Sequence, residues 1–214
     1  MIEEEKIFTG KMFDPRKKEL KDLKHKAHAA CLRYNAMDEC DPCRLPIIRE
    51  FIGGIGRTYY FQGPIQFNYG CHTFIGENFF ANFNLTVMDD GRIYIGDNVC
   101  FGPNVSLMAT AHPLIAKERM GIDESGDTIM AEYAEEIHIG DNVWIACNAV
   151  VLGGVHIGNN AVIGAGSVVT KDIPDNYLAL GNPCRPIHPI SEADSKRHLI
   201  LEEDIKHFEY NNSR

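Results

Sequence analysis

The chain has no surplus of positive charge to offer a polyanion. Its formal net charge is −9, from 21 basic and 30 acidic residues. No basic run or stacking motif offsets that balance, which argues against nucleic acid as a partner. No apolar stretch approaches the ~20 residues that a bilayer crossing needs. The first residues, from Met1 to Glu5, contain neither a basic start nor an apolar core, so no secretory leader is expected. Cysteine is present without a framework. Seven are scattered along the chain, an odd number, which fits free thiols in a reducing cytoplasm. Cys40 and Cys43 form a C-x-x-C, but no second pair stands at zinc-finger spacing, so they read as linker residues.

The stretch from Ile137 to Thr170 also lacks the 3.6-residue period of an amphipathic helix. In its place is a period of six. Ile139, Ile145, Val151, Ile157, Ile163 and Val169 form one lane, with Ile137, Val143, Ala149, Val155, Ala161 and Ser167 two residues upstream. Six fits neither the helical nor the heptad repeat, and a fixed short repeat of this kind marks a parallel β-helix. Each hexad supplies one side of a three-sided coil, and no coil can bury its apolar lane without neighbours. The pattern recurs earlier at Ile75, Ala81 and Val87, and again at Ile95, Phe101 and Leu107. Asp89-Asp90-Gly91 inserts two residues between those runs. Residues 113–136 are charged and aperiodic, which predicts a loop projecting from the stack.

Three parts are expected: a helical module over 1–58, the β-helix with its loop over 59–190, and a terminal helix or tail over 191–214. Leu20, Leu23, Ala27, Ala30, Cys31 and Tyr34 fall on one helical face. Ile47, Ile48, Phe51, Ile52 and Ile55 suggest a second, short helix. Ser191 to Asp194 reads as a capping box opening a helix that buries Leu199, Ile200, Ile205 and Phe208.

Several segments together resemble the maltose, galactoside and nodulation O-acetyltransferases. Residues 78–90 (NFFANFNLTVMDD) are similar to that family's acceptor segment, and residues 104–113 (NVSLMATAHP) to its catalytic-histidine segment. Residues 163–174 (IGAGSVVTKDIP) and 181–185 (GNPCR) resemble its acetyl-coenzyme A segments, and residues 7–13 (IFTGKMF) its N-terminal module. The resemblance implies a mainly β, left-handed parallel β-helix that assembles as a homotrimer with sites between subunits. It implies acetyl transfer from acetyl-CoA to a hydroxyl of a sugar or sugar-like acceptor, without a metal.

By that resemblance His112 is the general base, since an imidazole titrates near the working pH and a sugar hydroxyl must lose its proton to attack a thioester. Asn82, Asp90, Asn68 and Asp14 match acceptor-side positions, where amide and carboxylate oxygens can accept hydroxyl protons. An alternative for Asn82 is a structural corner asparagine in left-handed backbone geometry. Cys147, Ala165, Thr170, Lys171 and Arg185 match the coenzyme side. Lys171 and Arg185 supply cations for phosphates, and the Cys147 amide faces the thioester carbonyl. Trp144 reads as a packing or interface aromatic. His138 and His156, eighteen residues apart, read as stacked surface histidines rather than metal ligands. Amino-group acceptors, a metal-dependent carbonic anhydrase on the same scaffold, and a non-catalytic scaffold are the competing functions.

Overall fold

The computed structural model describes residues 1–122 and 124–204. Its centre is a triangular prism whose three walls are parallel sheets. The first wall stacks Gly54–Ile55, Thr73–Ile75, Ile93–Ile95, Ile137–Ile139 and His156–Ile157. The second stacks Tyr59–Phe61, Phe79–Ala81, Cys100–Phe101, Trp144–Ile145, Val162–Ile163 and Tyr177–Leu180, and the antiparallel Arg185–Pro189 closes its end. The third stacks Ile65–Phe67, Leu85–Met88, Ser106–Met108, Val150–Leu152 and Val168–Val169. Both hexad lanes point inward: Ile137, Ile139, Val143, Ile145, Ala149 and Val151 are all buried. Alternation along each short strand leaves the intervening residue outside, as Thr73–Ile75 shows with Phe74 between its buried ends.

The corners explain the asparagines. Asn78, Asn98, Asn142, Asn160 and Asn176 all have φ between 55° and 58°, the left-handed region that asparagine tolerates better than most residues. Their side chains bond each other in a ladder parallel to the prism axis, at 2.9–3.0 Å per rung. Asn84, Asn104 and Asn148 form a second ladder at the next corner. Each rung satisfies amide groups that the turning backbone alone would leave to solvent.

The stack starts earlier than the sequence pattern suggests. Ile55 pairs with Ile75, and Phe61 and Phe67 continue its lane through a complete first coil. The apolar run ending at Ile55 is therefore a 3-10 helix, Leu45–Glu50, then a three-residue turn over 51–53 and the strand Gly54–Ile55. Ahead of it, α1 (Glu3–Phe8) and α2 (Lys18–Ala36) form the N-terminal module. Leu20, Ala27, Ala30, Cys31 and Tyr34 are the buried face of α2. Tyr34 donates its hydroxyl proton to the Phe61 carbonyl, which ties α2 to the first coil.

The projecting segment is ordered rather than irregular. Thr110–Ala111 pairs with Tyr133–Ala134, and Met120–Ile122 pairs with Thr128–Met130, so it forms a two-stage antiparallel arm. At its base, Phe13 and Glu132 exchange both backbone hydrogen bonds, at 2.9 and 3.0 Å, and so join the arm to the N-terminal module.

The expected terminal helix is replaced, among the described residues, by short 3-10 turns at Glu192–Asp194, Arg197–Leu199 and Glu202–Asp204. The Ser191 cap does form, accepting from the Ala193 amide, but it closes only one turn. Leu199 is 71% exposed and finds no apolar wall to pack on, and a helix this short does not hold itself together in water. Ile205 and Phe208 lie outside the described residues.

Candidate active site

The candidate residues segregate onto two of the prism's three edges. Where the second wall turns into the third, successive coils set Asn82 and Gly102 level with Ala146 and Gly164, and Cys147 and Ala165 follow one residue on. Where the third wall turns back toward the first, the same axial order places Asn68, Asp90, His112 and then Thr170 with Lys171. The longest strand between those edges, Leu85–Met88, spans roughly 13 Å at the usual rise per residue.

The first edge lines a groove. Asn82, Cys147 and Ala165 share a cavity of about 590 Å³ with Phe80, Trp144 and Leu178. Trp144 is 51% exposed on its wall, an apolar surface open to a neighbour. Asn82 is not one of the left-handed corner residues. That role falls to Asn84, and the Asn82 side-chain Oδ1 accepts from the Phe83 amide at 2.8 Å. Gly102 sits against Cys147, and a Cβ there would come within 2.7 Å of the Cys147 nitrogen. Glycine therefore keeps the amide uncovered.

The second edge carries the titratable groups. His112 is partly exposed, and its Nδ1 lies 2.9 Å from the Ala131 carbonyl oxygen on the arm. A carbonyl only accepts, so Nδ1 carries the proton and Nε2 keeps a lone pair. Nε2 lies 3.8 Å from the Glu132 carboxylate. Glu132 is nearly buried, and burial, then the neighbouring Asp90 charge, raises its pKa above the ordinary carboxylate value. Sequence reasoning missed Glu132. Only the pairing of the returning Tyr133–Ala134 with Thr110–Ala111 brings it beside His112.

Asp89 and Asp90 are both buried, with separate tasks. Asp89 accepts from the Tyr69 amide at 2.8 Å and from the Thr73 hydroxyl at 2.9 Å, which fixes the turn; burial pushes its pKa up to about 6. Asp90 Oδ2 accepts from Asn68 at 2.9 Å, and the buried Tyr69 hydroxyl interacts with the same carboxylate. Asn68 thus orients Asp90. Burial also raises the Asp90 pKa, against the pull of Lys24. The Lys24 ammonium sits 5.3 Å from the centre of the Tyr69 ring.

Asp14 is paired with Arg16, which bonds both of its oxygens at 2.8 and 2.7 Å and lowers its pKa. Asp14 lines a smaller cavity of about 280 Å³ beside Ala131 and Ile129 of the arm. Lys171 and Arg185 are exposed at the end of the stack. His188 bonds the Pro189 carbonyl at 2.9 Å. Cys40 and Cys43 stand exposed in a turn held by the Asp38 and Asp41 carboxylates, in keeping with a linker. His138 and His156 stack with ring centres 4.5 Å apart and planes within 5°, continuing a ladder from Phe74 and Tyr94.

A capped prism of hexads with a histidine on one edge and a groove on the next defines the hexapeptide-repeat transferases. Residues 136–171 match the family model "Bacterial transferase hexapeptide (six repeats)", and residues 6–56 match "Maltose acetyltransferase hexapeptide capping motif". The chain belongs to the galactoside and maltose O-acetyltransferase family, acetyltransferases built on the left-handed parallel β-helix. It is 40% identical to the galactoside O-acetyltransferase of Escherichia coli over 191 residues, covering 89% of this chain and 90% of that one. Among solved structures, it resembles a galactoside acetyltransferase in complex with coenzyme A, with a TM-score of 0.83, 39% identity and coverage of 91% and 94%. It also resembles a hexapeptide-repeat acetyltransferase from Vibrio cholerae complexed with acetyl coenzyme A, with a TM-score of 0.76, 33% identity and coverage of 89% and 100%. No helix among the described residues is long and apolar enough to cross a membrane.

Proposed function

We propose that this protein moves an acetyl group from acetyl-CoA to a hydroxyl of a sugar or sugar-like acceptor, by direct attack in a ternary complex, with His112 as general base. The observation that carries this reading is the His112 ring, whose Nδ1 proton is committed to Ala131 so that Nε2 presents a lone pair. The acceptor oxygen gives its proton to Nε2 as it bonds to the thioester carbonyl carbon. The carbonyl oxygen then carries the developing charge, opposite the Cys147 amide. Collapse of the adduct breaks the carbon–sulfur bond, and the departing thiolate takes the proton back from His112. Glu132, close to Nε2, stabilises the imidazolium formed between those steps. Asp14, Asn68, Asn82 and Asp90 are the acceptor-side groups. Cys147, Ala165, Thr170, Lys171 and Arg185 are the coenzyme side.

The two-edge arrangement supports a site shared between copies. Both edges run through their candidate residues in the same axial order, acceptor end first and coenzyme end last, yet they are a wall apart in one chain. Setting one copy's groove edge against a neighbour's histidine edge completes the site. Such a head-to-tail contact forms a ring where the rotation closes, and the family resemblance gives that ring as a cytoplasmic homotrimer.

The test is complementation. His112→Ala and Asn82→Ala lesion opposite edges. Each alone should lose acetyl transfer to a panel of sugars and amino alcohols, read as thiol release. Mixed trimers formed by co-refolding should regain a fraction of it, because one interface then holds two intact edges. No recovery from trimers shown to be mixed refutes the shared site, and transfer to amines alone refutes the hydroxyl acceptor.

A further inference from the structure

Three ligand-bearing side chains converge away from the acyl-transfer groups, where the N-terminal module meets the prism. The carboxylate of Glu4, the thiol of Cys71 and the imidazole of His72 place one donor atom each within 4.8 Å of one another. His72 is 3% exposed, and its Nε2 lies 3.1 Å from the Glu4 carboxylate.

The other ring nitrogen decides what that contact requires. His72 Nδ1 lies 2.9 Å from the Asp89 carbonyl oxygen and 3.1 Å from that of Asp90. Both oxygens only accept, so Nδ1 holds a proton and the Nε2 lone pair points at a carboxylate that can also only accept. Two acceptors at that distance repel unless a positive centre lies between them. Either a second proton on the ring or a metal ion meets the need. The neighbouring sulfur favours the metal, because a deprotonated thiol beside an imidazole and a carboxylate completes a set of three donors suited to a transition-metal ion.

We infer that Glu4, Cys71 and His72 form a binding site for a divalent transition metal, zinc being the ion best matched to one sulfur, one imidazole and one carboxylate donor. Bonds of about 2.0–2.1 Å at tetrahedral angles set nitrogen and oxygen ligands roughly 3.3 Å apart, close to the separation seen. A carbonyl bonded to the far ring nitrogen is the arrangement that orients ligating histidines elsewhere. Phe8 covers the imidazole edge-on with ring centres 4.9 Å apart, and Tyr69 flanks it at 5.0 Å, while Glu4 and Cys71 stay partly exposed and leave an ion a way in. The ion would clamp α1 to the prism corner. Through the carbonyls of Asp89 and Asp90 it would also hold the turn carrying the acceptor carboxylate. Its part is positioning; it touches no reacting atom.

The experiment titrates the metal-stripped full chain with Co(II), which reports thiolate ligation through a near-ultraviolet charge-transfer band and tetrahedral geometry through intense visible bands. One equivalent per chain should bind with both signals, and Zn(II) should displace it. The charge-transfer band should vanish in Cys71→Ala and persist in the double variant Cys40→Ser, Cys43→Ser. Zn(II) should raise the thermal midpoint of the parent and leave that of Cys71→Ala unmoved. A spectrum without thiolate bands, or bands that survive Cys71→Ala or disappear with the Cys40 and Cys43 changes, overturns the site and leaves His72 and Glu4 as a plain ion pair. None of these readouts depends on acetyl transfer, so the result is independent of the proposed reaction.

Discussion

His112 and Ala131 face each other across the root of the arm, the imidazole Nδ1 donating to the carbonyl oxygen at 2.9 Å. The bond joins the edge of the prism to the returning strand of the arm, so the orientation of the ring depends on both. Changing His112 to Ala leaves that strand pairing intact, because Thr110 and Ala111 bind Tyr133 and Ala134 through backbone groups. Turnover should fall by about 10²–10⁴-fold, the range of a lost general base, while coenzyme A affinity stays within a factor of two or so. Kinetics together with calorimetric coenzyme A binding checks this. A large loss of binding with turnover retained would remove the base assignment.

Gly102 tests the amide opposite the thioester. Its substitution by Ala puts a Cβ about 2.7 Å from the Cys147 nitrogen and covers the donor. The rate constant should drop on the order of 10²–10³-fold, as for other lost oxyanion donors. Cys147→Ser, which keeps the amide and changes only the side chain, should remain near parental rates. Equal losses in both variants would mean that the thiol, not the amide, is needed.

Glu132 carries a dependence on pH with a definite sign. Its folded-state pKa is raised by burial and by Asp90, with Asp14 adding to the rise and Lys24 and His112 opposing it. The folded state thus binds the proton more tightly than the unfolded chain does, and stability falls as pH climbs from about 4.5 through the higher folded value. Glu132→Gln removes the titrating charge. The variant should be more stable than the parent at pH 7.5 and lose that advantage below pH about 4.5. Urea denaturation at both pH values decides it, and a difference independent of pH would contradict the assignment.

Phe101 tests the core. It is fully buried at the middle of the prism, with its ring meeting Phe79 at a centroid distance of 5.2 Å and 88° between planes. Phe101→Ala should cost about 3–5 kcal/mol, since the surrounding coils cannot close in on the vacated space. Chemical denaturation measures the loss. A value below ~1 kcal/mol would show the stack to be more deformable than its packing implies.

Much of this was readable from local pattern, for a physical reason. Ile139, Ile145 and Val151 recur because each wall of the prism reads its sequence the same way, and side-chain alternation writes that into neighbouring residues. The β-helix expected from residue 59 begins a strand earlier, at Gly54–Ile55, because Ile55 also fits the end of a helical module. Among the described residues the Ser191 cap closes a single turn and Leu199 stays exposed, so no terminal helix forms there.

The sequence alone therefore determined the repeat, the prism it implies and the edge histidine marked by its segment. Only the tertiary structure decided that Glu132 stands beside His112, that Asn68 serves Asp90 while Arg16 pairs with Asp14, and that Glu4 reaches His72 across 68 residues. Hexad packing is enforced between adjacent residues and repeats in every coil. The meeting of the module, the arm and the corner turns depends instead on how separate elements dock, and no local period records that.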